Sequence, residues 1–172
     1  RKRDVIRQTR VERAILQHCR HPFIVGLAVA FQTPRKLYLV MPFLSGGELL
    51  YWLNRSPGGV FSEGRCRLYA AEMGLGLRWL HSRGLVYRDL KPENVLLDYS
   101  GHARLVDFGL AEHAQHGHER ERARIEQGKP AVVPLGTAAY MAPELFIGPA
   151  VYLQNVYSSD YWSLGVVLYQ ML

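Results

Sequence analysis

Residues 87–94 read Tyr-Arg-Asp-Leu-Lys-Pro-Glu-Asn, and Asp107-Phe108-Gly109 begins thirteen residues after that Asn. This pair of motifs constrains the chain more than any other feature. It sets an Asp, a Lys, an Asn and a second Asp at the spacing that phosphoryl transfer requires. In that chemistry Asp89 accepts the proton of a substrate hydroxyl, and Lys91 neutralises a moving phosphoryl group. Asn94 and Asp107 would hold Mg²⁺ ions. One short motif of this kind arises by chance; an octet followed by a correctly spaced Asp-Phe-Gly does not.

The 172 residues are enough for one core, with an ordinary 48% hydrophobic and 21% charged content. Two cysteines, Cys19 and Cys66, form no disulfide framework and have no partner at metal-ligand spacing. They fit a reducing compartment as half-buried helix residues. No apolar run approaches the ~20 residues of a membrane span. No signal peptide is visible either, in a chain that starts at Arg1 rather than Met. The net charge of +6 raises nucleic acid or an anionic membrane as a partner. However, the basic residues cluster at 1–13 and are otherwise dispersed, with no aromatic-plus-basic stripe. A solvated Arg1-Lys2-Arg3 segment and no nucleic acid partner is the reading adopted.

Val11, Ile15 and Cys19 recur at spacings of four, beside Leu16, as on an amphipathic helix over 7–19 that His21-Pro22 ends. Ile24–Phe31 and Lys36–Met41 read as strands joined by a turn at Gln32-Thr33-Pro34-Arg35. A short helix is expected from about Glu48 to Asn54. Ser62 is placed to cap a longer one, which carries Cys66, Tyr69, Met73, Leu77 and Leu80 on one face and ends near Gly84. Val95–Asp98 and Ala103–Val106 read as a small hairpin. Residues 112–130 lack apolar periodicity, and Ser159–Leu172 is apolar almost all round, which predicts a buried helix. That helix has no cap at Leu172, so the sequence reads as a piece of something longer.

These motifs resemble a eukaryotic protein kinase, in the family's order and over essentially the whole chain. The resemblance implies an α+β, two-lobed kinase fold, incomplete, from helix C through the hinge to helix F. Residues 1–41 would end the N-lobe, 42–48 form the hinge and 49–172 begin the C-lobe, with a long activation segment at 107–144. Glu12 takes the place of the helix-C glutamate, whose lysine partner and glycine-rich loop would precede Arg1. Met41 takes the gatekeeper place, and the backbone of Pro42 and Leu44 would meet the adenine edge of ATP. Glu48 falls where ribose or a substrate arginine is contacted, and Leu96 forms the floor under adenine. Leu16, Leu27, Tyr87 and Phe108 match the apolar stack through a kinase core, with Gly109 closing the Asp-Phe-Gly motif. Taken alone, each of these is an ordinary helix charge, strand or core residue.

Gly136-Thr137-Ala138-Ala139-Tyr140-Met141-Ala142-Pro143-Glu144 resembles the substrate-positioning loop. The resemblance implies that the Thr137 hydroxyl bonds Asp89 and Lys91, as in serine/threonine kinases. It also implies that Glu144 pairs with an arginine beyond Leu172. Asp160 matches the helix-F aspartate that receives amides of the catalytic loop. Tyr87, His21-Pro22-Phe23-Ile24-Val25 and the Ser-Gly-Gly-Glu hinge are similar to the branch containing the cyclic-nucleotide-dependent, lipid-dependent and ribosomal-protein kinases. Within it, Ala30–Leu37, Gly59–Glu63, Tyr69–Glu72 and Lys129-Pro130 look most like G-protein-coupled receptor kinases. Glu48 and Phe108 depart from that subgroup, which favours Asp and Leu there.

From Asp107 to Glu144 the only hydroxyl-bearing residues are Thr137 and Tyr140, and Val133 stands where the branch carries a phosphorylated threonine. Activation by phosphorylation of that loop is therefore not expected. Arg88, which would hold such a phosphate, needs another partner, with Glu119, Glu121 or Glu126 as candidates. His113, His116 and His118 raise a zinc site, but a mobile, His-rich surface loop is favoured, with Glu119–Glu126 as a transient charged helix. The expected activity is transfer from MgATP to Ser/Thr hydroxyls of proteins, activated receptors among them. A cytoplasmic location follows, with the membrane reached only through other domains. The alternative is a pseudokinase scaffold or a catalytically incomplete fragment, and residues 1–172 alone are expected to be poorly soluble and inactive. Glu48 and Glu93 match acidic positions for substrate arginines, while Ala139 replaces another.

Overall fold

The computed structural model describes residues 9, 12–34, 36–127, 135–147 and 156–172. Val11, most of the basic cluster at 1–13, Arg35, Lys129-Pro130 and Val133 lie outside the described residues, as does the side chain of Glu121. Helical residues 12–18 form α1. They are followed by strands β1 (Val29–Gln32), β2 (Leu37–Val40) and β3 (Gly47–Glu48) and helices α2 (Leu49–Arg55) and α3 (Glu63–His81). Next come β4 (Leu85–Val86), β5 (Val95–Leu97), β6 (Ala103–Leu105) and β7 (Glu112–His113). Helices α4 (Ala114–Glu126), α5 (Glu144–Ile147) and α6 (Ser158–Met171) follow among the described residues.

The centre of the core is α3. Cys66, Tyr69, Met73, Leu77 and Leu80 recur every three or four residues, and all are buried. Burial of each is worth about 1.5–3 kcal/mol for a leucine-sized side chain. Ser62 is the N-cap, but its side chain makes no capping bond; its carbonyl accepts the Cys66 amide at 3.0 Å. A β-carbon at Gly76 would stand 3.0 Å from Leu105 Cδ1, so glycine lets α3 approach β6. The helix ends at His81, and Gly84 turns the chain at φ +70°. Cys66 and Cys19 are fully rather than half buried, and Cys19 lies just past α1. Burial pushes the Cys19 thiol up to about 11, which keeps it protonated.

The described residues form three small antiparallel ladders, and β4 and β6 pack against α3. β1 pairs with β2 in the register Val29↔Val40, and Thr33 closes the turn between them by accepting the Lys36 amide at 3.1 Å. The order β3-β5-β6 sets Glu48 opposite Leu96 and Leu96 opposite Arg104. A β-carbon at Gly46 would come within 2.6 Å of Leu97 Cβ, so only glycine fits where the chain crosses β5. The β5–β6 turn is held by Asp98, whose Oδ1 accepts the amides of Ser100 at 2.9 Å and His102 at 3.1 Å. The third ladder, β4 with β7, pairs Val86 with Glu112.

Two expectations are corrected. The segment expected as a mobile loop is α4, which starts at Ala114 rather than near Glu119. Its first residues are fixed by the β7 pairing, and the Ala114 amide donates to the Gly84 carbonyl at 2.8 Å. Helix α6, read from the sequence as apolar almost all round and buried, is not buried on every side. Ser159, Asp160, Ser163, Val167 and Met171 face the core, whereas Tyr161, Trp162 and Tyr169 are exposed. On that face Tyr161 meets His81 edge to face, with ring centroids 5.1 Å apart, and Tyr169 is 84% exposed. No helix of the described residues is long and apolar enough to cross a membrane.

Candidate active site

Asp160, 1% exposed in the first turn of α6, organises the loop that follows β4. Its Oδ2 accepts the Tyr87 amide at 2.9 Å and its Oδ1 the Arg88 amide at 2.8 Å. His81 Nε2 lies 2.7 Å from the same Oδ2, a contact with no local signature in the sequence. Tyr87 is fully buried against Phe108, with ring centroids 5.4 Å apart, and its hydroxyl donates to the Val106 carbonyl. Burial, reinforced by the charges of Asp107, Asp89 and Asp160, pushes the Tyr87 phenol well above its ordinary range. It therefore stays a donor. Leu16 is buried, and its carbonyl accepts the Leu27 amide at 3.0 Å, so all four residues of the expected stack border one core.

Around Asp89 the geometry is closed. Its Oδ1 accepts from the Thr137 amide at 3.1 Å and the Thr137 hydroxyl at 3.0 Å. Its Oδ2 takes the Asn94 carboxamide N–H at 2.9 Å and lies 3.1 Å from Lys91 Nζ. Lys91 Nζ also donates to Thr137 Oγ1 at 2.8 Å. A carboxylate ringed by donors and a cation is held in one orientation. Gly136, at φ +124°, approaches so closely that a β-carbon there would sit 2.6 Å from the Arg88 carbonyl.

Asp107 takes a left-handed φ of +55°, and its Oδ1 accepts the Gly109 amide at 3.0 Å. Glu12, on α1, faces it: burial first, and then the charge of Asp107, raise the Glu12 carboxyl. The Asn94 amide N–H groups point to the Asp89 carbonyl and carboxylate, which turns the carboxamide oxygen to the other side. An exposed carboxylate and a carboxamide oxygen form an all-oxygen donor set, and the facing Glu12–Asp107 charges favour a cation nearby. These residues fit Mg²⁺. At the other end, Glu48 and Leu96 lie opposite each other across β3–β5, Met41 and Pro42 are exposed, and Leu44 is half-buried.

Among the described side chains Arg88 meets Glu112, not Glu119 or Glu126, and the side chain of Glu121 lies outside them. Its Nη1 donates to Glu112 Oε2 at 2.7 Å and its Nε to the Leu110 carbonyl at 2.6 Å. Glu112 is a site residue missed by the sequence reasoning, because the β4–β7 pairing that delivers it is not a local pattern. Glu144 accepts from the Ser158 hydroxyl at 3.1 Å. Among the described residues no three His, Cys, Asp or Glu side chains converge as metal ligands; His113 and His116 meet only ring to ring, 5.5 Å apart.

The helices and small sheets, with this constellation between β4 and α6, define part of a two-lobed kinase fold. Residues 1–172 match the family model described as protein kinase domain, and the chain belongs to that family. It is 45% identical over 170 residues to ribosomal protein S6 kinase alpha-1 of Rattus norvegicus, covering 99% of this chain and 21% of the relative. It is equally similar, at 45% over 170 residues, to ribosomal protein S6 kinase 2 alpha of Gallus gallus, covering 99% of this chain and 20% of the relative. Ribosomal protein S6 kinase alpha-6 of Danio rerio is also 45% identical over 170 residues, 99% of this chain and 21% of the relative. The chain thus spans about one-fifth of these relatives' length. They fall in the branch that the motifs point to, among its ribosomal-protein kinases rather than its receptor kinases.

Proposed function

We propose that this chain carries the catalytic centre of a serine/threonine protein kinase, which transfers the γ-phosphoryl group of MgATP to a protein hydroxyl. The observation that carries this reading is Thr137, whose hydroxyl bridges Asp89 at 3.0 Å and Lys91 at 2.8 Å. That bridge fixes a base and a cation side by side. Asp89 orients the acceptor hydroxyl and takes its proton, while Lys91 stabilises charge on the transferred group. Asn94 and Asp107 would hold Mg²⁺, which when bound supplies charge neutralisation along the phosphates. The hinge at 42–48, with Pro42 and Leu44, would take the adenine edge above Leu96.

On the acceptor side, Glu93 Oε2 is buried without a hydrogen-bond partner, and its charge helps to raise the neighbouring Tyr140 phenol, after burial. A carboxylate so placed suits a basic residue near the phosphorylated Ser or Thr. The finer reading is a receptor tail as substrate, in the cytoplasm, with the membrane reached through other domains. It rests on the resemblance of residues 30–37, 59–63, 69–72 and 129–130 to receptor kinases and on the scarcity of hydroxyls between Asp107 and Glu144. The test is a peptide array phosphorylated by the full-length protein with labelled ATP, followed by phosphoamino acid analysis. Label on Ser or Thr is expected, and label on Tyr alone, or none, would overturn the proposal. Preference for receptor-tail peptides over S6-tail peptides would support the finer reading, and the reverse would remove it.

A further inference from the structure

Arg88 is held at both ends. Asp160 accepts its amide at 2.8 Å, and Glu112 and the Leu110 carbonyl accept its guanidinium at 2.7 and 2.6 Å. Its backbone stands at φ +70°, a left-handed conformation that a residue with a β-carbon keeps only where its surroundings impose it. The next residue is Asp89. Relaxation of Arg88 toward ordinary backbone would swing the Asp89 carboxylate away from Thr137 and Asn94.

Glu112 owes its place to the backbone, not to Arg88. It lies opposite Val86 in the β4–β7 ladder, and the Ala114 amide on the Gly84 carbonyl locks the register one step further on. The side chains of Arg88 and Glu112 are 13% and 7% exposed. At that burial, loss of the Glu112 carboxylate would leave the Arg88 guanidinium without its anion. The only two hydroxyls between Asp107 and Glu144 are committed elsewhere, Thr137 to Asp89 and Lys91, and Tyr140 to Gln170 Oε1 at 2.8 Å. A phosphate on either would break those bonds.

We propose, resting on the phosphotransfer reading above, that Glu112 is a positioning residue. It is the built-in anion that holds Arg88, and through it Asp89, in working orientation without a phosphate on this segment. The experiment compares the full-length wild type with Glu112→Gln, Glu112→Asp and the double variant Arg88→Gln/Glu112→Gln. Steady-state kinetics, melting temperature and hydrogen exchange of the Tyr87 and Arg88 amides are read for each. Glu112→Gln should lower kcat on the order of 10²-fold, the scale of a misplaced catalytic group, with little change in the KM for ATP. Its Tyr87 and Arg88 amides should exchange faster. Glu112→Asp should recover part of kcat. The double variant, which removes both members of the Arg88–Glu112 pair, should regain melting temperature without regaining kcat.

Three kinetic results would overturn the proposal: unchanged kcat in Glu112→Gln, kcat restored along with stability in the double variant, or a wild type that works only once Thr137 or Tyr140 is phosphorylated. If the wild type phosphorylates nothing, the kinase reading fails separately. Amide exchange then decides for Glu112: faster exchange in Glu112→Gln supports the positioning role, and unchanged exchange removes it.

Discussion

The Thr137 hydroxyl donates to Asp89 Oδ1 at 3.0 Å across 48 residues of chain, and the Thr137 amide reaches the same oxygen at 3.1 Å. Two donors from one residue fix the rotation of the carboxylate. Thr137→Ala keeps the amide bond and loses the hydroxyl bridge to Lys91. It should lower kcat by about 10²-fold, with nucleotide affinity nearly unchanged. Thr137→Ser should retain most of the rate. Equal kinetics for Ala and Ser would remove the bridge from the account.

Asp160 ties α6 to the loop carrying Asp89 through two amides and His81. Asp160→Asn keeps the shape but turns one acceptor into a donor facing an N–H. In a site 1% exposed, the loss should be about 2–3 kcal/mol. Chemical unfolding measures it directly. A change within ~0.5 kcal/mol, the range of ordinary surface substitutions, would show that the loop is held by other means.

Much of this arrangement was legible in the sequence, because chemistry and helical period restrict which residues stand where. The apolar face of α3 follows from spacing alone, and the octet from Tyr87 places Asp89, Lys91 and Asn94 together. The partners that complete the site were not legible. Glu112, His81 and Glu72 reach Arg88, Asp160 and His102 across 24, 79 and 30 positions, and no local pattern encodes such pairings. The start of α4 was hidden by Gly117, a poor helix former. That glycine lies against Glu112, where a β-carbon would stand 3.5 Å from the carboxylate. The outer face of α6 misled because apolar character alone does not say which side is covered.

Gly136 offers a steric test. Alanine there would meet the Arg88 carbonyl at 2.6 Å, at a φ of +124° that disfavours any β-carbon. Gly136→Ala should cost about 1–3 kcal/mol and depress activity by displacing Asp89. Wild-type activity and melting temperature in this variant would contradict the close approach.

His102 carries a pH dependence. Its Nδ1 lies 2.5 Å from Glu72 Oε1, while Glu72 Oε2 accepts the Ala103 amide at 2.7 Å. The hydrogen bond and charge of Glu72 raise the imidazole above its ordinary 6.5, Asp98 adds to this, and Arg104 opposes it. Because the folded value is the higher one, the stabilisation is complete below 6.5 and fades as pH rises through the raised value. Melting temperature followed from about pH 6 to 9 should fall more in the wild type than in His102→Gln. Parallel curves would show that the pair contributes nothing.

The most direct test of the account is phosphoryl transfer by the full-length protein and its Asp89→Asn variant, measured beside MgATP affinity. The substitution keeps the size of the side chain and removes its ability to take a proton. The expected result is a fall in kcat of about 10²–10⁴-fold with MgATP binding preserved. Transfer at the wild-type rate by Asp89→Asn would contradict the assignment of Asp89, and with it the reading of the site.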